Sequence, residues 1–322
     1  MMEKRQLGNS GTMVTSIGLG CVTFGREIDA ETAYKVMDHA LDRGVDFFDT
    51  AEGYTNGELS SEQVIGDWMK SRGVSDQITI CTKVSSGGTA ENIKRALAQS
   101  LDRLQVDKIQ IYKAHSAFKD APYEEYLGTM NEAVEAGQVD VIGCSNFRAG
   151  QLKEALDTSD KNGWARFQIT QPPYSLARSD NPGHLDRIEA EAEFFPLCVK
   201  EGVGITPYSP LGAGFLAGKY TRGEYVADQT KFPKGTRFDM RPGHAEIYFE
   251  ERNFDIVDKL RAKSEELGVP IVRLAMAWVM SNKSLTSVLI GARKPDHVDN
   301  AIEAMDMELS PELYAEMTAW GS

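Results

Sequence analysis

The sequence predicts an α/β fold, a closed (β/α)8 barrel, on three observations. Short β-rich runs alternate with amphipathic helical segments almost from end to end, the pattern of repeated βα units around a parallel sheet. Eight such runs occur, near residues 17–21, 45–49, 78–83, 108–114, 139–144, 167–171, 203–207 and 287–290. No GxGxxG follows any of them, so a doubly wound open sheet would lack its phosphate loop. A chain of 322 residues with 41% apolar side chains suits one such barrel with insertions. A single domain over residues 1–322 is expected.

Each element has its own signal. Before the first run, KRQLGNSGTMVTSIG sets turn residues between two short alternating stretches, which predicts an N-terminal β-hairpin closing the barrel bottom. The first helix carries Ala33, Val36, Met37, Ala40 and Leu41 on one face, with Gly44 as a C-terminal cap. The third carries Ile93, Leu97, Leu101 and Leu104. After the seventh strand the tract from Gly218 to Glu250 is rich in Gly, Pro and charge and lacks periodicity. Loops of that length act as lids or binding loops.

Composition removes several functions. A net charge of -13 and a pI near 5.0 argue against a nucleic-acid partner, though a local basic patch could hold a phosphate. The four cysteines, Cys21, Cys81, Cys144 and Cys198, form no CxxC and read as reduced core residues. No apolar run approaches the roughly 20 residues that span a bilayer, and the amino end does not read as a signal sequence. A cytoplasmic protein with no membrane partner is expected; the oligomeric state stays open.

The chemistry centres on FFDTAEGYTNGELSSEQVIG, residues 47–66, where an apolar strand ends in Asp49 and Tyr54 follows in a Gly-rich loop. Lys83 and His115 end the third and fourth strands. In a barrel, those ends share one mouth. A nearby ammonium stabilises a phenolate and lowers the phenol's pKa, a carboxylate keeps that ammonium charged, and a histidine can donate a hydrogen bond to a carbonyl oxygen or relay a proton. Singly, the Asp reads as a helix cap, the Tyr as a packed amphipath and the Lys as a surface charge. Independent structural roles would not gather all four at one end of consecutive strands. Lys113 shares parity with His115, which predicts an inward ammonium that needs a carboxylate partner or a polar substrate.

These residues and their flanking strings resemble the aldo-keto reductase superfamily along essentially the whole chain. FFDTAEGY, ICTKV, IYKAH, GQVDVIGCSNF, QPPYSLARS, PYSPLGAGFLAGKY and VLIGARKPDHV occur in the family's order. The resemblance implies Tyr54 as general acid, Lys83 and Asp49 as its tuners, His115 as the group orienting the carbonyl, and hydride transfer from NADP(H) without a metal. It matches Ser145, Asn146 and Gln171 to the groups that hold the nicotinamide carboxamide, and Tyr208 to the aromatic stacked on the ring. In SPLGAG, Ser209, Leu211 and Gly212 offer backbone donors and close approach for a pyrophosphate. Lys219 and Arg237 resemble residues that close over it. After the eighth strand, Gly291 opens GARK, whose Arg293 and Lys294 could clamp the extra phosphate of NADP. Asp299 and Asn300 are the candidate adenosine contacts.

Phe24, Phe118 and the stretch from Phe232 to Met240 are the expected substrate walls. The remaining histidines, His39, His184, His244 and His297, show no metal-ligand spacing, and no metal is expected. The leading reading is an NADPH-dependent enzyme that reduces an aldehyde or ketone, a sugar among the candidates, to an alcohol. The alternative is a nicotinamide-binding regulatory subunit with little turnover. A Schiff-base aldolase would need an uncharged Lys83, against which the adjacent acid argues.

Overall fold

The computed structural model describes residues 2–179, 185–220, 222 and 232–321. Strands β1 (Lys4–Gln6) and β2 (Met13–Thr15) form the antiparallel hairpin. Eight parallel strands follow: β3 (Ile17–Gly20), β4 (Phe47–Asp49), β5 (Thr79–Val84), β6 (Ile109–Ala114), β7 (Val139–Ser145), β8 (Ile169–Gln171), β9 (Gly204–Ile205) and β10 (Val288–Gly291). They pair in sequence order, and β10 returns beside β3. The backbone N–H groups of Thr286 and Leu289 donate to Ile205 and Pro207 at 2.8 and 2.9 Å, which joins β10 to β9. The predicted (β/α)8 barrel and its hairpin are present.

Side chains alternate across a strand, so residues two apart share the barrel interior. Phe47, Cys81, Ile111, Val141, Ile169 and Leu289 form one inner apolar layer, against which Leu7 and Val14 of the hairpin pack. The same parity, two residues on, delivers Asp49, Lys83, Lys113 and Gln171. Gly143 makes room for this polar layer, because a Cβ there would lie 2.3 Å from Ile169 Cγ2 and 3.2 Å from Lys113 Cγ.

Outside the strands, α1 (Ala30–Asp42) buries Ala33, Val36, Met37 and Ala40, with its first turn capped by Asp29 accepting from Thr32 N at 2.8 Å. Helix α2 (Ser61–Arg72) opens on a capping box between Ser60 and Gln63. Helix α3 (Ala90–Leu104) buries Ile93, Leu97 and Leu104. All four cysteines are free and buried. Among the described residues no helix is long and apolar enough to cross a membrane.

The tract after β9 differs from its sequence reading. Where it is described it holds two one-turn α-helices, Arg237–Met240 and Ala245–Tyr248, with a 3-10 turn, Pro242–His244, between them. An aromatic cluster anchors them, with Phe238 5.0 Å from Tyr220 and 5.1 Å from Phe249 between ring centroids. Residues 221 and 223–231 of the expected lid lie outside the described residues, as does His184.

Candidate active site

The floor of the barrel mouth is a buried ionic network built on Asp49. Lys83 Nζ donates to Asp49 Oδ1 at 2.6 Å and to Thr50 O at 2.7 Å. Lys113 Nζ donates to Asp49 Oδ2 at 2.8 Å and also to Gln171 Oε1. Gln171 Nε2 closes the ring onto Asp49 Oδ1 at 3.2 Å. Both lysines are fully buried, and two ammoniums facing one carboxylate leave the floor net positive. Burial works against the Asp49 charge, but Lys113 and Lys83 overcome it and hold the carboxyl well below the usual carboxylate range. For Lys83, too, burial works against the charge, but Asp49, with Tyr54 and Cys81 adding to it, raises the ammonium's pKa. The inward Lys113 expected from strand parity is found, with its carboxylate.

Tyr54 lies over this floor, its ring centroid 5.0 Å from Lys83 Nζ. Its pKa is raised by burial, which outweighs the lowering effect of Lys83. That corrects the net direction expected from the ammonium alone: desolvation keeps the resting phenol protonated. The His115 ring stands edge-on to Tyr54 at 5.6 Å. Burial and the Lys83 charge push its pKa down to about 3, so the imidazole is neutral near pH 7. Its Nδ1 lies 2.6 Å from Ser85 Oγ. If the serine donates, the ring's proton sits on Nε2. Ser85 was not among the expected site residues, although it continues the parity of Lys83.

Next to these groups, Asn146 adopts φ 59°, an αL conformation open to Asn. Its amide donates to His115 O at 3.0 Å and accepts from Tyr208 OH at 2.9 Å. Ser145 Oγ donates to Gln171 O at 2.9 Å. Asp49, Tyr54, His115 and this polar set line one cleft of about 780 Å³. The same cleft is lined by Ser209, Leu211, Lys219, Arg237, Gly291 and Arg293. Asn300 also reaches it.

Lys219 has no carboxylate partner among the described residues. Burial and the nearby Arg293 lower its pKa. Arg293 donates to Gly235 O rather than to an acid. This wall therefore presents cations short of counter-charge. Arg26, Glu27 and Arg241, which sequence reading did not single out, line the cleft as well. They sit on loops, where no periodicity marks a side chain's direction.

Some expected residues are not brought to the cleft. Phe24 is fully buried in the outer core. Phe118 packs edge-on against Tyr126 at 5.3 Å. Of the expected wall around residues 232–240, Phe232 and Phe238 join the aromatic cluster, while Met240 lines the cleft. Asp299 turns toward α1, where it pairs with Arg43 and with His39 Nε2 at 3.0 Å. Lys294 is an exposed N-cap residue of the Pro295–Met305 helix, and Gly212 is buried beside the cleft, its Cβ position 3.4 Å from the Tyr248 ring.

Proton donors and acceptors gathered at the carboxyl end of a (β/α)8 barrel define an enzyme-type site. The chain belongs to the aldo/keto reductase family, which it matches over residues 16–321. It is 32% identical over 335 residues to the uncharacterized oxidoreductase YrpG of Bacillus subtilis, covering 97% of this chain and 94% of that one. A probable voltage-gated potassium channel subunit beta of Arabidopsis thaliana is 31% identical over 323 residues, covering 95% and 92% respectively. Norsolorinic acid reductase B of Dothistroma septosporum is 29% identical over 341 residues, covering 99% of this chain and 81% of its own length. The family and its reductases support an oxidoreductase acting on carbonyl groups.

Proposed function

We propose that this chain is an NADP(H)-dependent carbonyl reductase in which Tyr54 is the general acid. The observation that carries the reading is Tyr54 stacked over the Lys83–Asp49 pair, beside a neutral His115, at the head of one cleft. The under-compensated cations Lys219 and Arg293 suit the phosphates of a dinucleotide. Ser145, Asn146, Gln171 and Tyr208 would hold its nicotinamide end. When bound, the cofactor supplies the hydride that reduces the carbonyl carbon.

The chain's own groups handle the proton. Burial keeps Tyr54 protonated at rest, so the proton is present when a carbonyl oxygen arrives. As negative charge develops on that oxygen, Tyr54 donates, and Lys83, kept charged by Asp49, stabilises the phenolate left behind. His115 donates a neutral hydrogen bond that aims the carbonyl at Tyr54. Aldehyde or ketone becomes alcohol.

Tyr54→Phe removes only the hydroxyl. Single-turnover oxidation of NADPH by 4-nitrobenzaldehyde should slow by roughly 100- to 10,000-fold, the usual contribution of general acid catalysis, while NADPH still binds. An unchanged hydride step would rule Tyr54 out. The potassium-channel relative favours a second reading, a nicotinamide-binding subunit with little turnover. Wild-type protein that binds NADPH tightly yet fails to oxidise it with a panel of aldehydes and ketones would select that reading.

A further inference from the structure

Beside Tyr54 the cleft carries a charge that the proposed chemistry leaves unused. Arg26, on the loop after β3, holds its guanidinium carbon 5.9 Å from the Tyr54 ring centroid. The residue is half-buried, and its Nε is buried with no hydrogen-bond partner among the described residues. Its neighbour Glu27 gives one carboxylate oxygen to Arg237 instead. The other Glu27 oxygen is buried without a hydrogen bond, and its field reaches Arg26 only as a partial offset. Burial, Arg241 and Arg237 all oppose the Arg26 charge. Three guanidiniums and one carboxylate thus face the cleft here.

A buried donor on an under-compensated cation is costly unless a ligand completes it. The cofactor phosphates already have Lys219 and Arg293. Arg26 is different, since its contact with the Tyr54 ring puts it where the rest of a substrate must extend once its carbonyl oxygen meets the phenol. A guanidinium in that place binds an oxyanion through paired N–H donors.

We propose that Arg26, with Arg241 adding to its field, is a specificity determinant for carbonyl substrates that carry an oxyanion, a carboxylate or a phosphate, a few bonds from the carbonyl carbon. The proposal rests on the reductase reading and names its substrate class. Carboxylate and phosphate share the recognition chemistry, and the test separates them.

The test measures kcat/KM with NADPH for matched pairs: 4-carboxybenzaldehyde against 4-methylbenzaldehyde, succinic semialdehyde against butanal, and glyceraldehyde 3-phosphate against glyceraldehyde. The charged member should be favoured by about tenfold or more in the first two pairs, the third, or all, the low end for a charge-assisted hydrogen bond. Arg26→Met and Arg26→Gln should each collapse that ratio through KM of the charged member, and Arg26→Lys should restore part of it. Three results overturn the proposal while leaving the reductase reading intact. One is efficient reduction of neutral members with no preference for charge. Another is a preference that survives in Arg26→Met and Arg26→Gln. The third is a loss of NADPH affinity in those variants as large as the loss for charged substrates, which would give Arg26 to the cofactor. No NADPH oxidation with any compound overturns the reductase reading, and the proposal with it.

Discussion

Asp49 is a single carboxylate shared by two lysines, and that shapes what each residue at the mouth can do. Buried charges are tolerated only when each is paired and hydrogen-bonded. Lys83 meets the condition through Asp49 and Thr50, and Lys113 through Asp49 and Gln171. Lys113 thereby fixes which way the Gln171 amide faces. Lys113→Met strips one Asp49 oxygen and the Gln171 carbonyl of their donor while Lys83 still pairs the carboxylate, and urea unfolding should show a loss of about 1–3 kcal/mol, the cost of buried acceptors left unsatisfied. Lys113→Gln keeps a donor and should lose clearly less; equal midpoints for both variants and wild type would deny the contact any stabilising role. Parity alone made Lys113 legible in the sequence, because a strand residue's face follows from counting. The net direction of the Tyr54 shift was not legible, since it depends on how far burial outweighs the ammonium. Nor was the diversion of Asp299 to Arg43 and His39, which only the packing of α1 against the Pro295–Met305 helix determines.

At the scale of elements, the strands were readable to within about two residues because alternating apolar runs between turn signals have few other solutions. β9 is the shortest, Gly204–Ile205 against an expected 203–207. Pro207 has no N–H to extend the ladder. The short helices after β9 could not be read, since one turn is too brief to show a 3.6-residue period and a distant aromatic cluster holds them. Gly143 is a case where an element's sequence serves its neighbours: it stands opposite Lys113 on β6 and Ile169 on β8. A Cβ there would sit 2.5 Å from Ile169 O, a backbone atom that cannot simply rotate away. Gly143→Ala should therefore cost about 1–3 kcal/mol by overpacking, read as a lower urea midpoint at unchanged slope. A midpoint equal to wild type would mean that the strands separate freely at this level.

At the scale of the whole molecule, a chain of net charge -13 directs cations into one cleft. Lys219, Arg237 and Arg293 line it while acids dominate the composition, so an anionic ligand is drawn to the mouth and repelled elsewhere. On the proposed reading, association of NADPH should slow as salt is added, because the attraction acts across solvent and is screened. Arg293 follows the last strand and precedes the helix Pro295–Met305, and on the proposed reading an additional phosphate on the adenosine side would meet its guanidinium. Its present hydrogen bond to Gly235 O is to a neutral carbonyl, and an oxyanion would replace it with a stronger, charge-assisted one. On the proposed reading, Arg293→Ala should weaken NADPH binding by about 1.5–3 kcal/mol, the range for charged hydrogen bonds. NADH, which lacks that phosphate, should be nearly unaffected. Titration of both cofactors by tryptophan fluorescence quenching checks the pair, and equal losses for NADPH and NADH would remove Arg293 as the source of the preference.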